Sequence, residues 1–245
     1  MPTDLNYLKK PSLKNPIAVA GLPGIALIGK MSVEYLIKQL DAEKFAELGS
    51  DKFPGWAVRE NGLVRNLKVN FYNADAEGLD RDIIILTADA QASSSRSQYN
   101  LSEEIVDVLA RERTETILTM AAFLEPDGEK PPVVGAATDP ETSDKIEKHG
   151  VGLLDGGRIV GMNGLLVGLG GEKGMKGFCL LGTTGGKEKD PSASKNVLSV
   201  FSDIYGFELD LSNFEDKIPD LPKFSPPKIK MPSVSSGKSD LSYIR

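Results

Sequence analysis

Short, wholly apolar runs alternate along this chain with longer stretches in which apolar residues recur every three to four positions. The first run, IAVAGL at 17–22, is bounded by Pro16 and by Pro23-Gly24 and reads as a buried strand. Helix-like sequence follows over 25–40. Its apolar positions (Ile25, Leu27, Ile28, Met31, Val33, Leu36, Ile37 and Leu40) exceed one narrow stripe, so this helix either sits deep in the fold or faces a second subunit. Two short strands and a hairpin are expected over 44–72, where VRNLKVNFY (64–72) alternates apolar and polar residues like a strand with one wet face.

DIIILTAD (82–89) is the clearest central strand. The loop QASSSRSQ (91–98) leads into a helix in which Asn100 is placed to cap and Glu103 to close a capping box; Leu101, Ile105, Val108 and Leu109 fall on one face. TETILTMAAF (114–123), VVGAATD (133–139) and GFCLLGTT (177–184) continue the strands. Asp139-Pro140 and Asp190-Pro191 each supply an N-cap followed by a proline at the first helical position. After the second of these, Val197, Phe201 and Ile204 line one face up to Gly206. Strands alternating with helices predict an α/β sandwich with a mostly parallel central sheet over residues 1–218, read as one domain.

From Pro219 onward the pattern stops. Residues 219–245 hold five of the fifteen prolines, several serines and few large apolar residues, which is too little to offset the entropy of ordering. This stretch is expected to be a flexible arm. Its tip, DLSYIR, places Leu241, Tyr243 and Ile244 next to Arg245 and the terminal carboxylate, a composition that suits a docking peptide.

Charge sharpens the division. The arm carries a net +3, so a total of −6 leaves −9 on the body. An acidic body excludes nucleic acid as the expected partner, and the arm's cations are too sparse for a membrane anchor. No apolar run is long enough to span a bilayer and the N-terminus lacks a secretory apolar segment, so a cytoplasmic protein is expected.

Candidate chemistry is thin. One cysteine and one histidine offer no zinc-ligand spacing and no internal disulfide, so neither a metal nor another cofactor is expected. Cys179 reads as a small core residue and His149 as a solvated helix C-terminus. Asp89, Glu125 and Asp139 follow strands, where α/β enzymes keep their sites, but no partner base accompanies them. Gly24, four residues, Gly29 and Lys30 match a phosphate-cradling loop as far as its last position, where Met31 replaces the Ser or Thr that would bind Mg²⁺. The apolar filling, Ile25 to Ile28, suits a packed turn better. The glycines then serve backbone geometry and Lys30 is an ordinary charged residue. GLGGEKGMKG (168–177) and GTTGGKEKD (182–190) read as glycine-rich turns.

Three segments carry a resemblance: AGLPGIALIGK (20–30), GRIVGMNGLLVGLGGEKGMKGFCLLGTTGG (157–186) and DPSASKNVLSVFSDIYGFELDLS (190–212). With them the chain resembles the archaeal branch of the proteasome assembly chaperone family from about residue 15 to 211. The resemblance implies a three-layer α/β/α fold similar to nucleoside phosphorylases, without their active-site set. It implies a non-enzymatic homo-oligomer that engages proteasome α subunits or another protein client. It also implies a C-terminal hydrophobic–Tyr–X motif; here Tyr243 stands third from the end, with Ile244 and Arg245 after it. The partner-binding residues expected are therefore Leu241, Tyr243, Ile244 and Arg245, with no catalytic residue. The competing expectation is a phosphorylase- or hydrolase-like enzyme, or a ligand-binding protein, with its pocket at the strand C-termini.

Overall fold

The computed structural model describes residues 4–125 and 129–218. In chain order the elements are β1 (Asp4–Tyr7), β2 (Ile17–Ala20), α1 (Ile28–Gln39), β3 (Glu43–Gly49), β4 (Val58–Glu60), β5 (Leu63–Arg65), β6 (Lys68–Ala74), β7 (Ile83–Ala88) and α2 (Ser95–Arg111). They continue with β8 (Thr116–Leu124), β9 (Val133–Ala137), α3 (Pro140–Lys148), β10 (Gly152–Leu153), α4 (Met162–Glu172), β11 (Lys176–Thr184), α5 (Pro191–Tyr205) and α6 (Phe214–Lys217).

Among the described residues nine strands form one sheet in the order β1-β3-β6-β7-β2-β8-β11-β9-β10, and β4–β5 is a separate hairpin. The four strands in the middle, β7-β2-β8-β11, run parallel, as strand–helix alternation requires. β1, β3 and β6 extend the sheet antiparallel on one flank, and β9 joins β11 antiparallel on the other.

Alternation along the central strands sends side chains into two cores. Ile17, Val19, Ile83, Ile85, Leu118 and Met120 pack beneath α1, α3 and α5, whereas Ala18, Ala20, Ile84 and Leu86 pack against α2 and α4. Helices on both faces make the α/β/α sandwich. α1 is apolar most of the way round because it lies deep: Ile28, Met31, Val33 and Leu36 are at most 1% exposed within this chain. α1 and α5 meet through small residues, with the Ser32 and Ser194 hydroxyls both donating to the Ile28 carbonyl.

Two caps stand where the sequence places them. Asp139 accepts from the Thr142 amide and Asp190 from the Ala193 amide, each followed by proline. α5 ends at Gly206 in the left-handed region, φ 70°. Two local features differ from what the sequence predicts. α2 starts at Ser95, capped by Ser94 through the Ser97 amide, so Asn100 is a mid-helix residue and part of the serine-rich stretch is helical. The predicted face holds nonetheless, since Leu101, Ile105, Val108 and Leu109 are all buried. Gly168–Glu172 is also not a turn but the end of α4. Glycine is used there for approach: a Cβ on Gly170 would lie 2.6 Å from Ile117 Cγ2 on the sheet.

Burial pushes the Tyr72 hydroxyl up to about 12 and raises that of Tyr205 as well. Both folded values exceed the unfolded one, about 10. Their stabilising contribution is therefore complete below pH 10 and disappears as pH climbs through the folded values. Urea midpoints measured between pH 9 and pH 12 are expected to fall steadily, with tyrosinate absorbance appearing late in the folded protein.

Candidate functional site

Parallel strands β7, β2, β8 and β11 end on the same side of the sandwich, the place where an open α/β sheet offers a crevice. The turn after β2 occupies it. β2 ends at Ala20 and the chain runs through Gly21–Gly24 into a single 3-10 turn, Ile25–Leu27, before α1. Ala26 and Leu27 both sit at φ 52°, left-handed values that cost roughly 1–2 kcal/mol per residue outside glycine. The surroundings hold them there. Ala26 and Leu27 are at most 9% exposed, and the Ala26 carbonyl accepts from the Asp190 amide at the start of α5.

Two glycines let this turn close. A Cβ on Gly21 would lie 2.1 Å from the Gly29 carbonyl oxygen, and one on Gly29 would lie 2.1 Å from the Met120 carbonyl oxygen. Gly24 meets no such restriction, because its φ of −162° is ordinary extended backbone and its nearest neighbour is 3.8 Å away.

Lys30 differs from the expectation of an ordinary charged residue. Its side chain is 13% exposed, and its ammonium donates to Thr87 Oγ1 at 3.0 Å and the Ala88 carbonyl at 3.1 Å, while pairing with Glu34 at 2.7 Å. Thr87 in turn donates to the Gly21 carbonyl at 2.9 Å. Three ammonium protons meet three acceptors, which leaves none for a phosphate. Lys30 is an internal clamp tying α1 to the end of β7.

Gln91 closes the other half of the crevice. Its Nε2 donates to the Pro23 carbonyl at 2.7 Å and its Oε1 accepts from the Met162 amide at 2.8 Å. One side chain thereby joins the turn after β2 to the N-terminus of α4, whose cap residue, Gly161, adopts φ 92° and lets Gln91 approach. No motif in the sequence singles out Gln91, because both its partners are backbone groups distant in the chain.

The remaining sequence candidates scatter. Asp89 is a structural anchor, receiving Arg65 through two bonds of 2.6 and 3.0 Å and the Lys68 amide at 2.9 Å. It fastens the β4–β5 hairpin to the body. Glu125 follows β8 at the same end of the sheet. Asp139 is at the opposite end, because β9 runs antiparallel to β11, a reversal with no local sequence signal. The Thr142 hydrogen bonds hold its carboxyl below the usual carboxylate range. Cys179 is 1% exposed beneath Thr119, and burial pushes its thiol up to about 11, as for an inert core residue. His149 caps α3 and meets Asp203 at 2.8 Å. The tip residues Leu241, Tyr243, Ile244 and Arg245 lie outside the described residues.

What this end of the sandwich does present is apolar surface. Ile25 is 53% exposed, Leu124 51% and Val160 79%, each beside the strand C-termini, and the hairpin adds Leu63 and Val64. Exposed apolar side chains are the material from which protein contact surfaces are built. Among the described residues no helix is long and apolar enough to cross a membrane, and no group of three or more His, Cys, Asp or Glu could hold a metal ion.

The chain is similar to Pyrococcus furiosus PbaB, an archaeal proteasome activator, with 33% identity and a TM-score of 0.81 over 88% of this chain and 94% of that one. It is similar to P. furiosus PbaA, an archaeal homolog of proteasome-assembly chaperone, with 26% identity and a TM-score of 0.73 over 88% and 91% of the two chains. An uncharacterized protein of Methanocaldococcus jannaschii is 32% identical over 215 residues, 86% of this chain and 82% of its own length. The PAC2 family model matches residues 18–218, and the chain belongs to the PAC2 family.

Proposed function

We propose that this chain is a non-enzymatic proteasome assembly chaperone-like protein, a homo-oligomer that engages proteasome α subunits through its C-terminal arm. The observation that carries the reading is the likeness to PbaB along almost the whole folded body, at 33% identity. The internal commitments of Lys30, Asp89 and Cys179 support it, since each of these three already has a structural task. The acidic body and the apolar side chains at the strand C-termini are compatible with a protein that works by contact.

The arm, residues 219–245, supplies the tip on this reading. Leu241, Tyr243 and Ile244 enter a pocket between α subunits, with Arg245 beside them. Purified full-length protein is expected to bind archaeal proteasome α subunits in surface plasmon resonance, and loss of residues 240–245 is expected to weaken that binding by about tenfold or more. Equal binding by the shortened chain would overturn the role of the tip. No binding by the full chain would overturn the proteasome as partner. Sedimentation equilibrium of the same full-length sample tests the oligomer.

A further inference from the structure

A groove of about 690 Å³ lies where α3 and α5 end, lined by His149, Val200, Asp203, Phe207, Glu208 and Asp210 among others. Its floor is partly apolar, since Phe207 is buried and Val200 and Leu209 are half-buried. Its rim is acidic. Asp203 is shared with His149, Asp210 is held down to about 2 by Ser212, and Glu208 has no partner among the described residues. Between Asp203 and Lys217 the chain carries five acids against a single lysine.

We propose that this groove holds the proximal half of the chain's own C-terminal arm, the basic and apolar segment Lys223–Met231. Three observations point to that occupant. The charges are complementary: Lys223–Met231 carries three lysines and no acid, and the groove lining carries Asp203, Glu208 and Asp210. The patterns match, because Lys223-Phe224 and Lys228-Ile229-Lys230-Met231 place cations beside apolar side chains as the groove places acids beside an apolar floor. The path is short. The described chain ends at Ile218, directly after Lys217, whose ammonium meets Asp210 on the groove rim at 3.1 Å.

The five residues from Pro219 to Lys223 span up to about 16 Å when extended. Pro222, Pro226 and Pro227 favour an extended strand with little entropy left to lose on docking. Tethering raises the segment's effective concentration at its own groove to the millimolar range, which favours the same chain over a second copy. Residues 232–245 then project from a fixed point, with the DLSYIR tip at their end. This inference concerns the proximal half of the arm and stands whether or not the tip engages a proteasome.

Hydrogen–deuterium exchange on the full chain tests it. Amides of residues 199–210 are expected to exchange about fivefold or more faster in the triple variant Lys223→Glu, Lys228→Glu, Lys230→Glu than in the parent. Raising NaCl from about 0.05 M to about 1 M should do the same to the parent and not to the variant. Adding Glu208→Lys to the triple variant should restore part of the protection, which a nonspecific change in the arm would not. Unchanged exchange over 199–210 in the triple variant would overturn the proposal. Protection that depends on protein concentration would also overturn it, by assigning the groove to the arm of a second copy.

Discussion

Gly29→Ala is expected to cost more than about 3 kcal/mol of stability, enough to lower the thermal midpoint by roughly 10 °C or leave the protein insoluble. The new methyl carbon would sit 2.1 Å from the Met120 carbonyl oxygen and 3.0 Å from its carbonyl carbon. Both belong to the backbone of β8, a strand paired on either side to β2 and β11, so no side chain can swing away to make room. The crowding continues on the other side, where the Gly29 carbonyl oxygen blocks a Cβ on Gly21 at 2.1 Å. Gly24→Ala provides the contrast. Its new carbon meets only ordinary contacts, at 3.8 Å, and a change within about 1 kcal/mol is expected. A phosphate-binding loop would make the reverse prediction, with Gly24 indispensable. Circular dichroism melts of the two variants decide between the readings.

Lys30→Met should destabilise by about 2–3 kcal/mol, seen as a lower urea midpoint at unchanged slope. The substitution keeps the apolar stem and removes the ammonium. The Glu34 carboxylate, the Thr87 hydroxyl and the Ala88 carbonyl then lose a donor together. The loss stays below the cost of breaking a fully buried pair because the Glu34 side chain is 21% exposed and water reaches it. Replacing both members, Lys30→Met with Glu34→Gln, should recover part of the loss, because no uncompensated charge remains. Neither the parent nor Lys30→Met is expected to gain thermal stability from millimolar Mg²⁺-ATP. A stabilisation of the parent that Lys30→Met abolishes would revive the nucleotide reading.

Much of the architecture follows from local sequence. The apolar runs at 17–22, 82–89 and 177–184 became β2, β7 and β11, because a strand buried on both faces needs an uninterrupted apolar run and little else produces one. The Asp-Pro pairs placed α3 and α5, because a side-chain cap acts within four residues. Cys179 and the Leu101–Leu109 face were legible for the same reason: burial follows from neighbours close in sequence.

Other features depend on contacts between distant segments. α4 was hidden by its glycines, which break helices in isolation but here let the helix lie against Ile117 and Thr138. The reversal of β9, which carries Asp139 away from Asp89 and Glu125, is a matter of pairing that no local pattern records. The match to a phosphate loop through Lys30 was real as a string, yet its meaning was decided by Thr87, Ala88 and Glu34, two of them nearly sixty residues away. The sequence alone therefore determined an α/β body, its main strands, its capped helices and an acidic body with a basic arm. Tertiary structure alone decided what Lys30, Gln91 and the glycines of the first turn do, because each acts on backbone and side-chain atoms that only folding brings within reach.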